Sequence, residues 1–472
     1  MGSAPDYLQV ARDLWRAQRE GPTGIARRQA RRLATLVAHA RARSPYFARH
    51  YAGVPTDGWR LADLPPTTKP ELMAAFDEWL TDPGITRADL ETFIADPERA
   101  GAPYRDGLFV CTTSGTTGHP GLFVHDRPLV AVYRALTIVR LDLAWLSALD
   151  WVRLVRRGIR WAAVVGTGSH FAGTAWVEFE RHRTPVNRWA YRTFSVQRPL
   201  AELVDALDAF DPAILSTYPS ALELLAEEQV AGRLRVRPTI LETAGESMTA
   251  DARSRVTFAF GAPVHDVYGS TEFAMMAMDC PMGWLHVNAD WVVLEPVDAE
   301  SRPAAVGLPS HTVLLTSLAD RLQPIIRYDL GDSVLARPDP CPCGSPFPAI
   351  RVEGRRDDVL RLATRDGRSV AILPLAISSA LESTRGVHRS QVVQTGPSAL
   401  RIRLEPEADA GADDVWVAVV GNLRAYLEDQ GLDDVELVRA DERPEQNPVS
   451  GKFRQVIAAP SQAPEGRSSP VA

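Results

Sequence analysis

Apolar and polar positions follow three successive regimes along this chain. Over the first hundred or so residues the apolar positions recur at helical spacing between prolines. RRQARRLATLVAHARARSPYFARHY predicts one helix, and LPPTTKPELMAAFDEWL predicts another entered through Thr-Lys-Pro. From about Leu108 to Val352, short apolar runs alternate with amphipathic helices. WAAVVGTG, PAILSTY, TILETAGE, APVHDVYG and HTVLLTSL each close in small or turn residues, with PLAELVDALDAF and PSALELLAEEQVAGRL between them. Such alternation predicts an α/β layered domain with ligand loops at the strand ends. Beyond GRRDDVLRL the order changes to a strand pair (HRSQVVQTG, ALRIRLEPE), a helix (DDVWVAVVGNLRAYLEDQG) and a last strand (DVELVRA). The fold class expected is therefore α/β: a large multilayer α/β domain over residues 1–353 and a small α+β domain over 354–458. The Pro/Ser/Gly-rich tail, 459–472, is expected to be disordered, and no internal repeat is visible.

Composition narrows the picture. At 472 residues the chain exceeds what one core usually supports, while 45% hydrophobic and 24% charged residues describe an ordinary globular protein. A net charge of −7 offers no general attraction to nucleic acid or an anionic membrane. Arg27, Arg28, Arg31 and Arg32 share a helix with Leu33, Leu36 and Val37, the pattern of a wet amphipathic face. No apolar run is long enough to span a bilayer, and the N-terminus lacks a secretory pattern, so a cytoplasmic location is expected. Four cysteines do not make a disulfide framework. The 52 basic residues include only two lysines, Lys69 and Lys452. Lys452 lies in the turn NPVSGKFR, where a compact ammonium suits a transient phosphate or carboxylate oxygen. Lys69, at the helix start PTTKPEL, is expected to be a surface residue.

The densest chemistry is TTSGTTGHPG, Thr112 to Gly121, directly behind the apolar run LFVC. Glycines allow close backbone approach, and consecutive amides and hydroxyls make a concavity for phosphate oxygens. The spacing is not that of a Walker loop. Further along stand TAGES (Thr243 to Ser247), YGSTE (Tyr268 to Glu272), RYDLGD (Arg327 to Asp332), GRRDD (Gly354 to Asp358) and NPVSGK. In this order these segments resemble those of the adenylate-forming superfamily of acyl-CoA synthetases, luciferases and peptide-synthetase adenylation domains. SPYFARHY, DLPPTTKPEL and IIRYDLGD followed by CPCG are most similar to the phenylacetate–CoA ligase branch.

The resemblance implies a set of roles. Thr113, Ser114, Gly115, Thr116, Thr117 and Gly118 would cradle phosphates, with Gly245 and Glu246 on the adenine side. Tyr268, Gly269 and Ser270 would flank the base, Asp332 would accept the ribose hydroxyls, and Arg355 would support the nucleotide. Thr271 offers a hydroxyl to the α-phosphate, and Glu272 is an oxygen ligand suited to Mg²⁺. Asp357 would be the pivot about which the small domain rotates, carrying the catalytic Lys452. One departure is plain: many superfamily loops carry lysine where this chain has Gly121, and the branch often has lysine where this chain has His119. Gly166, His170 and Phe171 in VVGTGSHFAGTAW, with Tyr218 in STYPSAL, occupy the place of the acid pocket.

Cys280 and His286 in CPMGWLH, with Cys341 and Cys343 in CPCG, offer three thiolates and an imidazole. That set suits a structural, tetrahedral zinc, and buried unmetallated cysteines are the alternative. Cys111 stands apart and is expected to be a packed residue. The activity implied is an ATP-dependent, AMP-forming ligase. It would act on a small aryl or arylalkyl carboxylic acid, with coenzyme A as acceptor. A carrier protein or an amine as acceptor, or nitrite activated to diazotise an aromatic amine, is the alternative. The chain leaves a homodimer open.

Overall fold

A computed structural model of the chain describes residues 7–113, 121–142, 146–245, 248, 250–308, 310–352, 360–372, 377, 380–381, 384–407, 409–445 and 456–458. Described residues up to 352 form one compact unit, and those from 360 onward form another.

The larger unit is mixed α/β. Its centre is a nine-stranded sheet in the order β13-β14-β9-β8-β7-β6-β5-β3-β4. Here β3 is Trp161–Val165, β4 Tyr191–Ser195, β5 Ile214–Thr217, β6 Ile240–Ala244 and β7 Val264–Tyr268. These five are parallel. The remaining four, β8 (Ala277–Asp279), β9 (Leu285–Val287), β13 (Val334–Ala336) and β14 (Ala349–Val352), extend the sheet antiparallel. The strands β3, β5, β6 and β7 coincide with the apolar runs in the sequence. The mixed strand β4 lacks such a run, and pairing with β3 is what places it in the sheet.

A hairpin of β1 (Phe109–Thr112) and β2 (Leu122–His125) brackets the glycine–threonine loop. A three-stranded sheet joins β10 (Val292–Val297), β11 (Thr312–Ser317) and β12 (Tyr328–Asp329). The N-terminal helical span Tyr7–Arg43 is broken at Gly21, whose φ of 70° begins a kink completed by Pro22. It buries Leu14, Leu36 and Val37 in a core shared with Phe47, Trp79, Phe123, Tyr133 and Phe273.

The smaller unit carries a hairpin of β15 (Leu360–Ala363) and β16 (Ser369–Ile372). Beside it is a four-stranded sheet ordered β19-β18-β17-β20, with β17 at Val387–Gly396, β18 at Ala399–Pro406, β19 at Glu436–Arg439 and β20 at Val456–Ile457. The helix Ala412–Asp429 packs Val415, Val419, Leu423 and Leu427 on this sheet at the i, i+4 spacing of an amphipathic helix. No helix among the described residues is long and apolar enough to cross a membrane.

Candidate active site

The parallel strands bring their following residues to one edge of the sheet: Gly166 after β3, Tyr218 after β5, Gly245 after β6 and Gly269 after β7. Strand β4 lies on one side of β3 and β5 on the other, so the chain reverses direction between β3 and β5. A crevice forms where neighbouring connections diverge in this way. Tyr218 bridges it, its phenol oxygen accepting from the Gly166 amide at 3.3 Å. Gly245 has φ +86° and lies beside the Tyr218 ring. Gly166, Tyr218 and Gly245 are thus brought together.

His170 is not. It is fully buried, its Nε2 is 3.0 Å from the Asp96 carbonyl and its ring meets Phe93 edge-on at 5.3 Å. The ring is packed in the core, with Nδ1 left without a hydrogen-bond partner among the described residues. Phe171 is half-buried at the start of the helix Ala172–Arg183, where it bridges Thr112 of β1.

The segment after β7 forms a tight turn. The Ser270 amide donates to the Phe273 carbonyl at 3.0 Å, and the Met276 amide to the Tyr268 carbonyl at 2.9 Å. A Cβ on Gly269 would lie 1.9 Å from the Ala274 carbonyl oxygen, so this turn closes only on glycine. The Tyr268 hydroxyl donates to Asp332 Oδ2 at 2.9 Å, uniting two segments 64 residues apart. His125 Nε2 donates to the Thr271 carbonyl at 3.0 Å. Complete burial pushes His125 down to about 4, which keeps the ring neutral. Glu272 is 6% exposed. Among the described residues it has no hydrogen bond or ion pair, and a buried carboxylate so placed fits Mg²⁺ as its partner.

Lys69 departs from the sequence expectation. Its Nζ donates to Thr113 Oγ1 at 3.0 Å, and the same oxygen accepts from the Gly121 amide at 2.7 Å. The Thr113 amide also donates to the Gly121 carbonyl at 2.9 Å, clamping the two ends of the loop. A Cβ on Gly121 would meet Phe123 at 2.7 Å and Lys69 Cε at 3.0 Å. The space a side chain would need at position 121 is therefore already filled, partly by Lys69. Backbone anchors hold Lys69 there: the Thr67 amide donates to the Arg327 carbonyl at 3.0 Å and the Asp329 amide to the Thr67 carbonyl at 2.9 Å. Thr68 caps the short helix Lys69–Ala74 in a box with Glu71. Ser114, Gly115, Thr116, Thr117, Gly118, His119, Glu246, Arg355, Asp357 and Lys452 lie outside the described residues.

The four predicted metal ligands converge from β8–β9 and the loop before β14. The ligand atoms of Cys280, His286, Cys341 and Cys343 all lie within 4.8 Å of one another. Cys280 Sγ and Cys341 Sγ are 3.8 Å apart; the edge of a tetrahedron built on zinc–sulfur bonds of ~2.3 Å is also about that long. His286 Nδ1 donates to the Phe347 carbonyl at 2.9 Å, while Nε2 faces Cys343 Sγ at 3.1 Å. That carbonyl fixes the tautomer whose free nitrogen points at the cluster. The residues present fit zinc, and four protein donors leave no open position for catalysis. Cys111 is fully buried, with its thiol pushed up by that burial, as expected of a packed residue.

No family model and no curated protein matches this sequence. Among solved structures, 2-hydroxyisobutyryl-CoA ligase in complex with 2-HIB-AMP and CoA, in the thioesterification state, is similar at 23% identity. The likeness covers 90% of this chain and 88% of that one, with a TM-score of 0.54. The chain has the fold of that ligase. An open conformation of the same ligase gives 23% identity over 92% and 91% of the two chains, with a TM-score of 0.49. An acyl-CoA synthetase from Brucella canis gives 18% over 74% and 63%, with a TM-score of 0.37. At this level of identity the likeness concerns the fold alone.

Proposed function

We propose that this chain is an ATP-dependent, AMP-forming ligase that adenylates a small aryl or arylalkyl carboxylic acid and passes the acyl group to coenzyme A. The observation that carries the reading is the hydrogen bond from Tyr268 to Asp332. It joins the segment at the end of β7, suited to a base and α-phosphate, to the one between β12 and β13, suited to ribose. The acid's carboxylate oxygen attacks the α-phosphorus, the bond to the β-phosphate oxygen breaks, and pyrophosphate leaves. Asp332 accepts from the ribose hydroxyls, and the Thr271 hydroxyl donates to the α-phosphate. Lys69 and the loop that Thr113 opens meet the outer phosphates, supplying charge that Gly121 and His119 do not. Glu272 would hold Mg²⁺, which neutralises phosphate charge when bound. Lys452 bridges carboxylate and α-phosphate oxygens as charge builds. Rotation of the smaller domain about Asp357 then withdraws Lys452 before thiol attack on the acyl carbon releases AMP. The Cys280–His286–Cys341–Cys343 set would hold a structural zinc.

The test is pyrophosphate release by the purified protein given ATP, Mg²⁺ and a panel of carboxylic acids, followed by detection of acyl-CoA. Acid-dependent release with thioester formation is expected. Release with acyl transfer only to an amine or a carrier protein would change the acceptor. Release driven by nitrite with an aryl amine, and by no carboxylate, would overturn the acid–CoA reading.

A further inference from the structure

Below Tyr218, one face of the sheet carries a polar row that the nucleotide site does not use. The Trp161 indole N–H on β3 donates to Ser216 Oγ on β5 at 2.5 Å, and the Ser216 hydroxyl donates to Glu242 Oε2 on β6. An indole only donates and a hydroxyl has one hydrogen, so each donor in the row is directed toward the carboxylate. Glu242 is the acceptor end.

The row is not sealed. Trp161, Ser216 and Glu242 each keep partial exposure. The residues that alternate with them toward the opposite face are sealed: Val164, Leu215 and Leu241 are 0% exposed and Thr243 1%. Trp161 meets Tyr191 edge-on at 5.1 Å, and both pack with Tyr218 against Ala163, Val165 and Val177, placing aromatic rings beside the row. Burial raises the Glu242 carboxyl above its usual range, against the lowering effects of Ser216 and, secondarily, His265. No arginine or lysine among the described residues pairs with it. A desolvated carboxylate whose basic neighbour is the His265 imidazole, its register partner on β7, is costly unless further hydrogen bonds satisfy it.

We propose that Glu242 reads a hydrogen-bond donor, an amino or hydroxyl group, on the ring of the acid substrate at the end away from its carboxylate. The inference rests on the adenylating reading, which puts the substrate carboxylate at the Gly245 end of the crevice. From Glu242 to Gly245 is three residues, roughly 10 Å along extended chain, a span that takes one ring and its distal substituent. The aromatic side chains beside the row suit the ring. A second carboxylate is repelled, and an apolar substituent leaves Glu242 unsatisfied.

The experiment compares meta- and para-aminobenzoate and hydroxybenzoate with the matching methylbenzoates. It uses the wild-type chain, Glu242→Leu and Glu242→Gln, reading both pyrophosphate release and acid binding by calorimetry. ATP binding by each variant checks its folding. The wild type is expected to favour the amino or hydroxy acids over the methyl acids by ~100-fold or more in kcat/KM. Glu242→Leu is expected to reverse the order, and Glu242→Gln, which keeps an acceptor oxygen, to retain part of it. A wild type without the preference, or a Glu242→Leu or Glu242→Gln variant that keeps it in full, overturns the proposal and leaves adenylation standing. Glu242-dependent binding of the amino acids without pyrophosphate release overturns adenylation and upholds the recognition. Neither binding nor release overturns both.

Discussion

Lys69 and His125 each reach a partner distant in sequence. Lys69 reaches Thr113 Oγ1 at 3.0 Å from a helix start 44 residues earlier. Lys69→Met is expected to weaken ATP binding roughly 10- to 100-fold, the worth of one charge-assisted hydrogen bond. AMP, lacking the outer phosphates, should bind as before; equal loss for both nucleotides in calorimetric titration would refute the assignment. His125 is buried neutral with its pKa lowered to about 4 by desolvation. Its unfolded value of about 6.5 means the unfolded chain binds the extra proton first as pH falls. The stability it contributes is complete above pH ~6.5 and is lost progressively down to pH ~4, by up to about 3 kcal/mol. Urea unfolding midpoints at the two ends of that window should therefore converge less in the wild type than in His125→Asn. An identical acid sensitivity in both proteins would remove His125 as a cause.

Elements place these residues by pairing, and pairing is only partly written in local sequence. Strands β3, β5 and β6 show as apolar runs because the face carrying Ala162, Val164, Leu215 and Leu241 is sealed. Strands β8 and β9 are only three residues each, and their antiparallel turn brings Cys280 and His286 to within reach of Cys341 and Cys343. Ligand types and spacing made that cluster legible, whereas the 3.8 Å sulfur separation needed the sheet. Cys341→Ser is expected to release about one equivalent of zinc and lower the melting temperature by several degrees, with metal content read by a chromogenic chelator. A wild type that carries no zinc as purified from zinc-supplemented cells, and melts at the same temperature as the variant, would reduce the cysteines to packing.

At the scale of the whole molecule, the larger unit holds Tyr218, Gly245, Tyr268, Thr271, Glu272 and Asp332, while Lys452 belongs to the C-terminal segment. The proposal divides labour accordingly: the first set binds, and Lys452 acts on the transition state. Lys452→Ala is expected to bind ATP normally and lose adenylate formation by about three orders of magnitude or more. Pyrophosphate release at the wild-type rate would take Lys452 out of the mechanism. The sequence by itself determined the α/β class, the order of strands and helices, and the ligand-type residues in turns, since periodicity and turn chemistry act over a few neighbours. It also singled out both lysines by their scarcity, yet assigned Lys69 to the surface and His170 to the pocket. Only the tertiary structure decided those. Whether a side chain meets a loop or the core depends on which strands pair and which anchors hold its backbone. The row ending on Glu242 arises in the same way, from strands that become neighbours only once the sheet has formed, and the Tyr268–Asp332 bond from the end of β7 meeting the segment between β12 and β13.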